Sequence, residues 1–273
     1  MADRSLQGVI DMHIHAAPDS RPRWYTGIEL AEHASAAAMA GFVLKHHDRS
    51  TVPDARQVRE RYPLLAVHGG LVLNRVAGGL DARIVQTELA AGAKIIWLPT
   101  RDGSGERLHR GESTPLALLT RAGEPVPALR RIFQHVAEAD AVLATGHASA
   151  QEVTAILPAA RGAGVRRLVV NHPEIPFLHF AADLQMRWRD EGAMLERCYP
   201  RPEAVQGFDQ LAREIHAVGA EASVLATDLG RIDLPDPLAG MRQMLDELAG
   251  RGINDAELRT MTQVNPRRLL GLD

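Results

Sequence analysis

The sequence of 273 residues has a single cysteine, Cys198, so no intrachain disulfide can form and the chain suits a reducing cytoplasm. Lysine is almost as scarce. Of 31 basic residues only Lys45 and Lys94 are lysine, and the rest are arginine. Arginine cannot supply a neutral amine or a carbamate, so these two lysines are set apart, either by chemistry or by chance survival of a compositional bias. Neither sign of charge is in excess, and a net charge of -3 gives no electrostatic case for nucleic acid or an anionic membrane. No apolar run reaches the length needed to cross a bilayer. Asp3 and Arg4 lead straight into the first strand, so no signal peptide is expected. A serine-centred nucleophile elbow, a phosphate-cradling loop and an internal repeat are also missing. What remains is a chain whose expected partner is a small molecule; a homo-oligomer is compatible with this composition. At 45% hydrophobic content it can bury one large core, which fits one barrel or two small domains.

Histidine, by contrast, is plentiful at twelve residues, and its placement matters more than its number. Residues 9–15 read Val-Ile-Asp-Met-His-Ile-His. In an extended strand side chains alternate, so Asp11, His13 and His15 are expected on one face and Ile10, Met12 and Ile14 on the other, packed under helices. Two imidazoles one strand-repeat apart can chelate a single cation. Further strands are predicted over 42–47, 64–74, 93–99, 141–145, 167–171, 193–199 and 223–227. Helices are predicted over 27–39, 53–61, 82–91, 127–140, 150–162, 177–190, 202–218 and 237–248, with a helical tail after Asn254. Thr26 with Glu29, and Ser149 with Glu152, read as capping boxes. Eight apolar strands alternating with eight helices, with no linker between them, predict an α/β fold: a (β/α)8 TIM barrel of a single domain over 1–273. The alternative, an open doubly wound sheet, lacks its Gly-rich first turn.

In such barrels the active site lies at the C-terminal strand ends. Reading those ends gives His13 and His15, then Lys45 and His47, Asn74, His147, His172 and Asp228. Each histidine alone is better read as a satisfied structural residue; five histidines and an aspartate on one rim by accident is far less probable. His33, His135, His179 and His216 fall in helices and His68 early in its strand, away from that rim. Glu196 and Cys198 close the seventh strand and can approach the site, with Cys198 read as a small buried residue.

This ordered set, from His13-Ile14-His15 through His147, His172 and Asp228 to Asn265-Pro266, resembles the amidohydrolase superfamily of metal-dependent hydrolases across the whole chain. The resemblance implies that His13, His15, His147 and Asp228 hold a divalent metal, Zn2+ first, with Mn2+ or Fe2+ also admissible. It implies that His172 contacts substrate or the attacking water. The chain departs from the two-metal pattern, because its fourth strand ends Trp97-Leu98-Pro99-Thr100 and Lys94 sits at the wrong end. That marks an atypical branch without the fourth-strand carboxylate or carbamate. Lys45 and His47 can substitute, either binding a second ion with His172 or gripping an anionic substrate. One tight metal is expected, with a second divalent site left open. Three imidazoles and a carboxylate leave room for a water of lowered pKa. Asp228 is then the proton acceptor, and His172 polarises the scissile carbonyl or holds the oxyanion. Asp11 either orients a histidine from behind or makes a buried structural hydrogen bond.

The segment 100–126 is long for a barrel loop and is expected to be a lid or recognition loop, with 118–126 a small hairpin over the mouth. Arg101, His109 and Arg110 can pair with a substrate carboxylate, although Asp102, Glu106 and Glu112 are interleaved, and a solvated loop of mixed charge is the plainer reading. Arg21, Arg23 and Trp24 can line the same rim, with packing an equal reading for Trp24, and Asn74 joins the candidate substrate contacts. The leading expectation is a hydrolase cleaving a small amide, cyclic amide or lactone, most simply a C–N bond other than a peptide. The alternative is a metal-dependent non-oxidative decarboxylase of a small carboxylic acid, similar to aminocarboxymuconate semialdehyde decarboxylase. A metal-binding regulatory barrel is the third reading, and retention of both Asp228 and His172 argues against it.

Overall fold

The computed structural model describes residues 4–112, 114–202 and 207–272. In chain order its strands are β1 (Ile10–Ile14), β2 (Gly41–Leu44), β3 (Ala66–His68), β4 (Gly70–Val72), β5 (Ile95–Trp97), β6 (Val142–Ala144), β7 (Arg167–Asn171), β8 (Met194–Cys198) and β9 (Ser223–Ala226). The helices are α1 (Gly27–Ala36), α2 (Val52–Arg61), α3 (Ala82–Ala90), α4 (Ser104–His109), α5 (Pro127–Glu138), α6 (Ala150–Gly162), α7 (Ala182–Asp190), α8 (Gly207–Val218), α9 (Pro237–Ala249), α10 (Asp255–Arg259) and α11 (Asn265–Leu270).

All strand pairs are parallel, in the runs β1–β2–β3 and β4 through β9. The third barrel position, expected as one strand over 64–74, is split at Gly69 into β3 and β4. There Thr51 reaches between neighbours: its hydroxyl donates to Leu44 O at 2.7 Å and accepts from Gly70 N–H at 3.0 Å. A Cβ at Gly69 would lie 2.4 Å from the Thr51 carbonyl, so only glycine fits. Closure runs from β9 back to β1, through Asp228 N–H to His13 O at 2.8 Å and His15 N–H to Leu229 O at 2.9 Å. The eight positions therefore form a (β/α)8 barrel. Among the described residues no helix is long and apolar enough to cross a membrane.

The barrel interior is filled by Ile10, Met12, Val43, Val72, Trp97, Val169 and Val224 with their neighbours, and Leu269 and Leu270 of α11 pack into the same cluster. Two outer clusters lie between strands and helices. Each fully buried aliphatic side chain in them contributes roughly 1.5–3 kcal/mol. Both expected capping boxes form, Thr26 with Glu29 and Ser149 with Glu152.

The first strand departs from strict alternation. Ile10 and Met12 face the barrel interior, whereas Ile14 packs in an outer cluster with Leu30 and Met241. The register with β2 shifts between Asp11 and Ile14, which marks a bulge. Asp11 staples it: Oδ1 accepts from His13 N–H and from Thr227 N–H, both at 3.0 Å. Asp11 thus makes the buried structural bond and does not touch an imidazole. The bulge is why inward-facing Met12 is followed directly by His13 at the site.

Other elements shift for local reasons. The helix expected over 177–190 begins at Ala182, and His179, with φ of 39°, sits in the preceding loop. The first helix ends at Ala36, and Ala38 follows at φ 54°. The helix expected from 202 is α8, and residues 203–206 lie outside the described residues. The segment 100–126 is not wholly irregular: it holds α4 and an antiparallel bridge between Leu119 and Pro125. That bridge does not cover the mouth as expected. Leu118 is fully buried in the outer cluster with Val85 and Leu129, so the turn packs on α3 and α5.

Candidate metal centre

Strand ends bring the buried side chains of His13, His15 and Asp228 together. His13 Nε2 lies 3.3 Å from His15 Nε2 and 2.9 Å from Asp228 Oδ1, and His15 Nε2 lies 3.1 Å from the same oxygen. A tetrahedral ion with bonds of 2.0–2.1 Å would separate its ligands by about 3.3 Å, close to these edges.

The direction of the hydrogen bonds behind His13 settles what its inner nitrogen presents. Gly146 N–H donates to Asn171 Oδ1 at 2.8 Å, which fixes the amide of Asn171. Asn171 Nδ2 then donates to Glu196 Oε2, and Glu196 Oε1 faces His13 Nδ1 at 2.9 Å. The proton belongs on Nδ1, and Nε2 offers a lone pair. Asp228 is ionised: burial opposes its charge, but Arg201 and His13 outweigh that and hold its pKa well below the usual carboxylate range. With Nε2 and a carboxylate oxygen 2.9 Å apart, either a second proton on His13 or a metal ion in its place satisfies the pair. At His13 burial also opposes charge, yet Asp228 and Glu196 overcome it and the pKa is raised. The site therefore attracts positive charge, as a proton or as a metal. His15 is held neutral by burial, with its pKa lowered to about 3, and its Nε2 faces Asp228 Oδ1 and His13 Nε2. These donors fit a divalent metal.

His147, expected as the fourth ligand, stands apart from the His13–His15–Asp228 group. Its Nε2 is 3.2 Å from His172 Nε2, and its Nδ1 is 2.7 Å from Glu106 Oε2. The Glu106 bond again places the lone pair on Nε2, toward His172. Burial lowers the pKa of His147 and pushes that of His172 well down, so both are neutral donors. The His172 ring centroid is 6.1 Å from that of His13. A second group, His13, Glu196 and Cys198, also converges, but there Glu196 is engaged by His13 Nδ1 and Asn171.

Backbone geometry at the rim is unusual. His172 and Asp228 adopt φ of 25° and 50°, in the left-handed region that favours glycine. Gly146, at φ 58°, precedes His147, and a Cβ on it would lie 2.2 Å from Leu98 O.

A cavity of about 490 Å³ opens above these groups and is lined by His15, Lys45, His47, His147, His172 and Asp228, among others. Lys45 is buried, 5.5 Å over the Trp97 ring, and its pKa is lowered by burial against the pull of Asp228 and Glu196. His47 stacks on His15 at 5.0 Å, and its Nδ1 is 2.9 Å from Thr100 Oγ1. Asn74 is placed differently from the expectation of a substrate contact. Its amide donates to His47 O and Thr100 Oγ1, and its oxygen accepts from the backbone of Thr100 and Asp102, so it fixes two loops. Arg23, Arg101 and Arg110 do line the cavity, but each is already ion-paired: with Asp19 at 2.6 Å, with Asp48 at 3.0 Å, and with Glu106. Trp24 is turned outward and donates from Nε1 to Leu234 O.

Glu106 and Arg201 escaped the reading of the sequence. Glu106 lies on α4, in the long loop, where it was one carboxylate among mixed charges. The signal was glycine: a Cβ at Gly103 or Gly105 would lie 2.9 Å from His147 O, so the loop must approach that turn closely. Arg201, beyond β8, grips Asp228 Oδ2.

No curated protein matches the chain. Solved structures share its fold at low identity. An amidohydrolase from Pseudomonas aeruginosa superposes with a TM-score of 0.66 at 11% identity, over 97% of this chain and 95% of its own. A 2,6-dihydroxybenzoate decarboxylase from Rhizobium gives 0.61 at 15%, over 98% and 99%. An amidohydrolase from Burkholderia multivorans with bound zinc gives 0.63 at 13%, over 96% and 99%. The parallel barrel accords with the fold of all three, and a family model matches residues 8–196, so the chain belongs to the family of unknown function DUF6282.

Proposed function

We propose that the protein is a metal-dependent hydrolase of an amidohydrolase type lacking the fourth-strand ligand, acting on a small amide, cyclic amide or lactone. One observation carries the reading: the imidazole nitrogens of His13 and His15 and an ionised carboxylate oxygen of Asp228 converge within 2.9–3.3 Å on neighbouring strand ends, a donor set that a divalent cation would bridge. His13, His15 and Asp228 would hold the ion, Zn2+ first; His147 and His172 complete that site or, with Lys45 or His47, take a second ion. When bound, a divalent cation supplies Lewis acidity, acidifying water and polarising a carbonyl oxygen.

Glu196 and Glu106 keep the protons of His13 and His147 on the outer nitrogens, so their inner nitrogens remain donors. Asp228 takes the proton from the attacking water and returns it to the leaving nitrogen or oxygen. Arg201 keeps Asp228 ionised before it takes that proton and after it has returned it. Where it does not itself hold an ion, His172, neutral and beside His147, donates a hydrogen bond to the developing oxyanion. Segment 101–110, which puts Arg101, Glu106, His109 and Arg110 on the cavity wall, serves as the recognition loop.

The fold shared with a 2,6-dihydroxybenzoate decarboxylase supports a second reading, decarboxylation of a small acid. The deciding experiment measures metal per chain by plasma mass spectrometry, then screens amides, lactones and aromatic acids with and without chelator. Hydrolysis abolished by chelation and restored by a divalent ion supports the proposal. Carbon dioxide release selects the decarboxylase, and full turnover after exhaustive chelation refutes both.

A further inference from the structure

We propose that the substrate carries an anionic oxyacid group, carboxylate or phosphate, at the end remote from the reacting bond, and that Arg21 at the cavity mouth selects for it. Which end reacts rests on the hydrolytic reading above. The cavity is lined by seven cationic side chains, Lys45 and six arginines, against three carboxylates, although the whole chain carries a net charge of -3. Five of the six arginines have a carboxylate partner: Arg23, Arg101 and Arg110 as described, Arg201 with Asp228, and Arg231 with Asp233. Arg21 has none among the described residues.

Its nearest charged neighbours are largely of its own sign. Partial burial and the facing guanidiniums of Arg231, Arg101, Arg110 and Arg23 hold the pKa of Arg21 below the usual arginine value. Asp19 does not compensate: one of its oxygens takes the backbone N–H of Arg21 at 3.2 Å, and the other is committed to Arg23. Asp19 thus anchors the root of Arg21 while leaving its head open. Asp233 is likewise committed to Arg231 through both oxygens. A guanidinium crowded by like charges, held at its base and facing a cavity is relieved by an incoming anion. Arg21 is exposed while His15 and Asp228 are buried, so the anion sits at the mouth and the reacting end at the floor.

The test titrates metal-loaded protein with butyrate, glutarate and 4-phosphonobutyrate by calorimetry. Glutarate or 4-phosphonobutyrate should bind at least about tenfold more tightly than butyrate, the margin of one charge-assisted pair. Arg21→Gln should erase that margin while butyrate affinity stays, and Arg21→Lys should keep part of it. Whichever dianion binds better identifies the oxyacid. No margin in the parent protein, or a margin intact in Arg21→Gln with an unchanged melting midpoint, overturns the inference. If the margin appears and vanishes as expected but no amide or lactone is turned over, the hydrolytic reading fails and the anion anchor stands. If neutral amides are hydrolysed as fast as their carboxylated counterparts and no margin exists, the anchor alone fails.

Discussion

Glu196 is the sharpest place to perturb the centre, because its two oxygens answer two donors whose directions are fixed. His13 Nδ1 approaches one at 2.9 Å and Asn171 Nδ2 the other, while Gly146 N–H prevents the Asn171 amide from turning over. Glu196→Gln is therefore not conservative. The new amide has one acceptor, so an N–H must face either His13 or Asn171. If it faces His13, the imidazole moves its proton to Nε2 and loses the lone pair aimed at Asp228. Removing such an outer partner typically costs 10–100-fold in metal affinity, or roughly 1.4–2.7 kcal/mol. Leaving one buried donor unpaired costs the metal-free fold about 1–3 kcal/mol. The assay is competition for Zn2+ against a calibrated chelator, alongside urea denaturation of metal-free protein. Cys198→Ser serves as the control, since the thiol belongs only to the other convergent group. Parent-like affinity in Glu196→Gln, or loss of metal in Cys198→Ser, would refute the placement of the ion between His13, His15 and Asp228.

Asp228→Asn should retain much of its metal yet lose turnover by roughly 10²–10⁴-fold, the range for a positioned proton acceptor; unchanged turnover on any substrate found would remove Asp228 from proton transfer. Asp11→Ala should destabilise the fold by on the order of 2–5 kcal/mol, because His13 N–H and Thr227 N–H both lose their acceptor, whereas Asp11→Asn keeps it; urea midpoints of the two variants would show the difference. Glu174, half-buried against Arg197, has its pKa raised by desolvation from 4.5 to about 7. The folded state then binds the proton more tightly than the unfolded chain, so its contribution to stability falls as pH rises from 4.5 through about 7. Glu174→Gln should flatten that slope and gain at most about 3 kcal/mol at pH 8; parallel stability profiles for variant and parent would contradict it.

The barrel and most of the rim were legible because both depend on period and order. Apolar strands separated by amphipathic helices announce a closed parallel sheet, and a histidine just past a strand end lies near the axis whatever the loop does. The bulge in β1 was not legible. Ile10-Asp11-Met12-His13-Ile14-His15 alternates without a flaw as text, and the slip shows only in three dimensions, in the register shift, the outward packing of Ile14 and the double acceptance by Asp11 Oδ1. The outer partners of the histidines divide the same way. Glu196 lies on a strand, and the sequence already brought it near the site. Glu106 reaches His147 across 41 positions from a short helix inside a loop, and the interleaved Arg101, His109 and Arg110 make it read as surface charge. Arginine pairing was hidden for a related reason: Arg101 meets Asp48, and Arg201 meets Asp228, through contacts between different loops.

Two residues in the centre sit where the backbone would choose glycine. Gly146 and Gly230, beside His147 and Asp228, show that the rim does use glycine at positive φ, and a Cβ on Gly230 would lie 1.9 Å from His15 O. At φ 25° and 50°, His172 and Asp228 keep their side chains at a cost on the order of 1–3 kcal/mol each. Packing does not demand those side chains, because both are polar and face a cavity. Chemistry at the rim is then what the strain supports, and that ordering is measurable. In metal-free protein His172→Gly should be more stable than His172→Ala by about 1 kcal/mol, the reverse of the usual preference of a folded position for alanine. If His172→Ala proves the more stable in urea, the backbone there is unstrained and His172 is held by packing rather than by its chemistry.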